Sequence, residues 1–108
     1  MVTEFEVRQT PKEERAAFLS DEQVWSEELA RELARTDGIG ELTEAHWRVI
    51  HFLRTHFIEH GALPPMSHVC HAVGLDEHCV RRLFGGSREA WRTAGLPDPG
   101  EEAKTYMD

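Results

Sequence analysis

Only two cysteines, Cys70 and Cys79, occur in these 108 residues, too few for the disulfide framework that staples small secreted domains. No run of about 18 apolar residues is present and no charged-then-apolar leader opens the chain, so neither membrane insertion nor secretion is expected. The expected compartment is the cytoplasm, where both thiols would be reduced. Positive charge is also scarce: 12 Lys and Arg stand against 20 Asp and Glu, and the formal charge of -8 opposes non-specific adhesion to nucleic acid or anionic lipid. The excess is local, with five basic and ten acidic side chains in residues 1–40, six of each in 41–96, and one against four in 97–108. No Ser-His-Asp arrangement, close carboxylate pair or phosphate-cradling glycine loop stands out, and Gly85-Gly86 reads as a turn. No catalytic residue, metal or cofactor is therefore expected.

What is there fits one domain, 1–108, with a modest core. Phe5 and Val7 alternate with Glu4, Glu6 and Arg8, a period-two pattern expected of a half-buried strand. Thr10 to Glu14 offers a turn, and Ala16-Ala17-Phe18-Leu19 is either a second strand or the start of a helix. Ser20 and Gln23 have capping-box spacing, and Trp25, Leu29 and Leu33 follow as one apolar stripe ending near Gly38. Thr43 predicts the start of a long helix lined by Trp47, Ile50, Leu53, Phe57 and Ile58 and stopped at Gly61; Trp25 and Trp47 are expected in the core. Pro64-Pro65 cannot continue it. A third helix from Met66 to Val73, a turn at Gly74, a fourth capped by Asp76 through Phe84, and a last turn over Ser87–Thr93 complete the body.

The Met66–Phe84 stretch resembles a helix-turn-helix, which would make Arg81 and Arg82 the DNA contacts of a regulator. Asp76 and Glu77 at the start of the second helix oppose that reading, because they would face phosphate. His68, Cys70, His71, His78 and Cys79 invite a zinc reading. Neighbouring residues on a helix point about 100° apart, however, so Cys70 and His71 do not converge, and buried thiols acting as small hydrophobes are expected instead.

Trp25-Ser26-Glu27-Glu28-Leu29-Ala30, Asp37-Gly38-Ile39, Leu42-Thr43-Glu44-Ala45-His46-Trp47-Arg48-Val49-Ile50-His51-Phe52-Leu53-Arg54, Pro64-Pro65-Met66, Ala72-Val73-Gly74-Leu75-Asp76, Leu83-Phe84-Gly85-Gly86 and Ala94-Gly95-Leu96-Pro97-Asp98-Pro99 follow in order. Together they resemble the DsrC/TusE family, sulfur-relay proteins related to the gamma subunit of dissimilatory sulfite reductase. The resemblance implies a mainly α, α+β fold: a small N-terminal β-hairpin over 1–19, a helical body over 20–94 with the helix-turn-helix-like corner, and a C-terminal arm over 95–108. In the family the arm carries two cysteines, one penultimate and one eleven residues earlier, which hold persulfide or form a reversible disulfide. Those positions fall here on Glu102 and Trp91. Exchange and persulfide chemistry require a thiolate, which neither an indole nor a carboxylate supplies.

The expectation is a sulfur-metabolism protein without the redox cysteines, a partner-binding or regulatory member using Trp91, Arg92, Leu96, Pro97, Glu101 and Glu102. Trp91 is weighed both as a packing pin and as a docking anchor. The resemblance implies sulfite reductase, a TusBCD-like complex or a sulfurtransferase as partners. An alternative is a relay carrier using Cys70 or Cys79; another is the DNA-binding regulator.

Overall fold

Lys12-Glu13-Glu14-Arg15-Ala16-Ala17 combines strong helix formers with two acidic side chains in the first turn. In the computed structural model, which describes residues 5–6 and 11–97, it opens helix α1 (Lys12–Ser20) behind the extended Pro11. Ala16 to Leu19 are thus helical. The two-residue strand β1 (Phe5–Glu6) pairs antiparallel with β2 (Ala62–Leu63), Phe5 opposite Leu63 and Glu6 opposite Ala62. No hairpin closes within residues 1–19 among the described residues, because the partner strand comes from much later in the chain. Val7 lies outside the described residues.

Ser20 ends α1 instead of capping the next helix, its hydroxyl donating to the Ala16 carbonyl at 2.7 Å. The carboxylate of Asp21 accepts the Gln23 N–H at 2.9 Å, and this turn delivers Trp25 just ahead of helix α2 (Glu27–Thr36). The N-cap is Ser26, whose Oγ accepts the Leu29 N–H at 3.1 Å. The expected stripe is also displaced: Ala30 and Ala34 are the fully buried positions, while Leu29 and Leu33 are half-buried, so α2 approaches the body through small side chains.

Helix α3 (Glu44–His60) runs through the centre and touches α1 and β2 as well as the three later helices. Val49, Ile50, Leu53 and Phe57 are wholly buried on it. Arg15 of α1 caps the last turn of α3: Nε donates at 3.0 Å to the Phe57 oxygen, which also accepts the Gly61 N–H, and Nη2 donates to the Ile58 oxygen at 2.8 Å. Gly61 then turns the chain with φ 62°. Trp47, expected inside, is half-buried, with the Arg31 guanidinium 5.2 Å from its ring centroid and His51 stacked beside it.

Beyond Pro64-Pro65 come three short helices, α4 (Met66–Ala72), α5 (Cys79–Phe84) and α6 (Ser87–Thr93). Asp76 does not cap α5 directly; its carboxylate accepts the His78 N–H at 3.2 Å and so closes the turn that precedes the helix. A single apolar cluster draws on every helix, including Leu19, Ala30, Leu53, Val69, Val80 and Ala90.

Candidate functional site

The root of the arm is held from three sides. Trp91 of α6 is only 3% exposed; its ring meets Phe57 edge-on at 6.0 Å, and its Nε1–H donates to the Pro97 carbonyl at 2.7 Å. Trp25 donates its own Nε1–H to the Thr93 carbonyl at 2.8 Å. Arg54 lies over the Trp25 ring, its Cζ 3.7 Å from the ring centroid, and reaches the Ala94 carbonyl at 2.6 Å and the Leu19 carbonyl with its other nitrogen. Burial lowers the Arg54 pKa to about 10, which leaves it charged at neutral pH. The two carbonyls and the indole face compensate that charge.

Gly95 completes the root. Its φ of 73° is left-handed, and a Cβ there would lie 2.0 Å from Trp25 Cδ1. The Ala94-Gly95-Leu96-Pro97 segment is therefore a fitted joint in which glycine is required twice over, for its backbone and for the indole against it. On the outer side Arg92 Nε donates to the Asp37 carboxylate at 2.9 Å, tying α6 to the end of α2.

Of the arm residues named from sequence, Trp91 and Leu96 face inward, Arg92 is exposed and Pro97 is half-buried. Trp91 packs the arm's origin against Phe57 in this structure. Glu101 and Glu102 lie outside the described residues.

The corner between α4 and α5 departs from expectation. Cys70 and Cys79 are joined as a disulfide, with Cα atoms 5.7 Å apart and both side chains at 0% exposure. The expected pair of reduced, hydrophobe-like thiols is therefore a covalent link, because the tight Gly74 turn folds α5 back on α4 and brings the two positions together. His68, His71 and His78 are exposed around it. Among the described residues no three metal-ligating side chains converge. Arg82 is engaged by Asp76 at 2.5 Å, and Arg81 borders a cleft of about 380 Å³ shared with Met66, Ser67, Glu77, His78, Val80 and Ser87. The Arg82 guanidinium and its hydrogen bond hold the Asp76 carboxyl below its ordinary range.

His46 locks this corner to α3. The Thr43 N–H donates to Nδ1 at 3.0 Å, so the proton is on Nε2, which donates to the Leu83 carbonyl at 2.8 Å. Sequence periodicity marks neither His46 nor Arg54 as a tether, since both fall among the apolar positions of α3 and look like interruptions of its stripe.

These contacts coincide with the motif blocks of the sequence. Residues 6–101 match the family of DsrC like protein. Sulfurtransferase TusE of Sodalis glossinidius is 38% identical over 91 residues, covering 76% of this chain and 83% of the relative. Sulfurtransferase TusE of Pectobacterium atrosepticum is 35% identical over 105 residues, 89% of this chain and 94% of the relative. The Sulfurtransferase TusE homolog of Haemophilus influenzae is 34% identical over 93 residues, 78% and 84%. No solved structure gives a significant match. With the match running from β1 through the tethered root of the arm, the chain belongs to the family of DsrC-like proteins.

Proposed function

We propose that this protein is a sulfur-relay component that engages partners through its arm without carrying sulfur on it. One observation carries the reading: the chain's two cysteines are bonded to each other at full burial, and the arm positions that hold thiols in the family's pattern are Trp91 and Glu102. Without an accessible thiolate there is nothing to accept a sulfane sulfur from a donor or to hand it on. Trp91 fixes where the arm starts, and Arg92, Pro97, Glu101 and Glu102 present it to a partner of sulfur metabolism, such as a TusBCD-like complex, sulfite reductase or a sulfurtransferase. Residues 1–108 act as one unit in the cytoplasm. A regulatory role follows, in which an inert arm occupies the docking place of a loaded one.

A second reading is favoured by the name Sulfurtransferase shared by the relatives. In it Cys70 or Cys79 accepts sulfur once their bond is opened. One experiment separates the two. The full-length protein is incubated with a persulfide donor and weighed intact, and its complex with a TusBCD-like assembly is measured before and after alkylation. No gain of sulfur mass and an alkylation-insensitive complex are expected. A sulfur adduct on either cysteine that passes to an acceptor overturns the inert-arm reading.

A further inference from the structure

We propose that the Cys70–Cys79 bridge is a thiol–disulfide exchange site, opened by a dithiol reductant, whose opening loosens the α4–α5 corner. The inference goes beyond the reading of the arm and uses neither Trp91 nor Glu102.

The corner is built so that one covalent link has a large effect. Helices α4 and α5 have seven and six residues, well below the roughly 12–15 that an isolated helix needs to persist in water. The connection between them is largely solvent-facing: Gly74, Asp76, Glu77 and His78 are exposed. Its polar ties are at the surface, the Asp76–Arg82 pair and the Arg48 hydrogen bond to the Val73 carbonyl at 3.2 Å. In the interior the bridge, with Val69 and Val80 beside it, joins the two helices, and His46 of α3 holds the Leu83 carbonyl of α5.

The bridge sits inside the single apolar cluster, whose other members, Leu53, Phe57, Ala90 and Trp91 among them, come from α3 and α6 as well, and a domain of this length forms a core without staples. When reduced, Cys70 and Cys79 would remain small apolar side chains filling the same space, so both redox states have a packed interior. In a reducing compartment such as the cytoplasm proposed above, the lone Cys70–Cys79 bond of these 108 residues has the character of a reversible pair. Both cysteines are fully buried and neither lines the neighbouring cleft of Met66, Ser67, Glu77, His78 and Val80, so a dithiol reaches the bridge through local opening of the α4–α5 corner.

The exchange balances without further reactants. A thiolate of the dithiol attacks one sulfur of the bridge, forming a mixed disulfide and releasing the other cysteine as a thiolate, which takes up a proton. The second thiol of the reductant loses its proton and attacks the mixed disulfide, leaving as an oxidised dithiol while the second cysteine is protonated. Two electrons pass to the protein and the reductant gains one S–S bond.

For a nine-residue separation, loss of the cross-link raises the opening equilibrium of the corner about a hundredfold by chain entropy. The test is amide hydrogen exchange on the full chain, oxidised and then reduced with dithiothreitol, with alkylation and intact mass counting free thiols. Reduction under native conditions is expected to expose two alkylatable thiols and to speed exchange in α4 and α5 by about that factor, with the centre of α3 unchanged. The double variant Cys70→Ala/Cys79→Ala is expected to match the reduced protein. A bridge that resists dithiothreitol until the whole protein unfolds overturns the proposal, and so do equal exchange rates in the two redox states. If the double variant does not fold, the reduced natural chain decides by the same criteria. Sulfur uptake adds the mass of a sulfur atom, whereas bridge opening adds only the two hydrogens of a reduced cystine and two alkylatable thiols, so the two proposals fail separately.

Discussion

Replacing Gly95 by alanine tests the joint at the base of the arm. The new methyl carbon would lie 2.0 Å from Trp25 Cδ1, 2.4 Å from Cγ and 2.9 Å from Cβ, distances at which the indole must move. Trp25 is not free to move, since its N–H is bonded to the Thr93 carbonyl and Arg54 lies over its ring. Holding alanine at a left-handed φ costs about 1–2 kcal/mol. Overpacking against a fixed ring adds about 1–3 kcal/mol. The expected loss is therefore about 2–5 kcal/mol, a large part of the roughly 5–15 kcal/mol that holds a domain of this size folded. Urea unfolding followed by far-UV circular dichroism measures it. Trp25→Leu should relieve the steric part and leave the backbone part, so a double-mutant cycle should show about 1–3 kcal/mol of coupling. A loss below about 1 kcal/mol for Gly95→Ala, or strict additivity with Trp25→Leu, would refute the fitted-joint account.

Thr93 carries a buried hydroxyl with no hydrogen-bond partner among the described residues, so Thr93→Val should stabilise the fold by about 0.5–1.5 kcal/mol and raise the melting temperature; an unchanged or lower value counts against that hydroxyl being unpaired. The Asp76 carboxyl should titrate below its ordinary value because Arg82 favours the charged form. Since the folded value is the lower one, the contribution of this pair is complete above the unfolded aspartate value and disappears as pH falls through the folded one. Carboxyl NMR titration of the natural protein and of Arg82→Gln checks this, and identical midpoints would remove Arg82 as the cause.

Much of the helical architecture was legible from periodicity and punctuation. Thr43 and Gly61 bound α3 as the capping signals predict, and Pro64-Pro65 separates it from α4. The errors arose where two local signals competed. Ser20 has the spacing of an N-cap, yet the alanine-rich stretch before it already forms a helix, and its hydroxyl turns back to Ala16. The alternation around Phe5 predicts a strand, but periodicity carries no information about its partner, which is β2. The motif blocks located the arm, whereas what grips it was hidden. Arg54 interrupts an apolar stripe and gains meaning only when α6 brings the Ala94 carbonyl to it. The Cys70–Cys79 bond likewise depends on a turn angle that residue spacing does not encode.

Two of the three indoles in the chain hang on main-chain oxygens of one short segment, at Thr93 and Pro97. A partner that pries that segment away would wet both rings and strip one of its overlying guanidinium. Emission wavelength and quantum yield would change with no dye attached, so the molecule contains its own optical gauge for whether the limb is seated or drawn off.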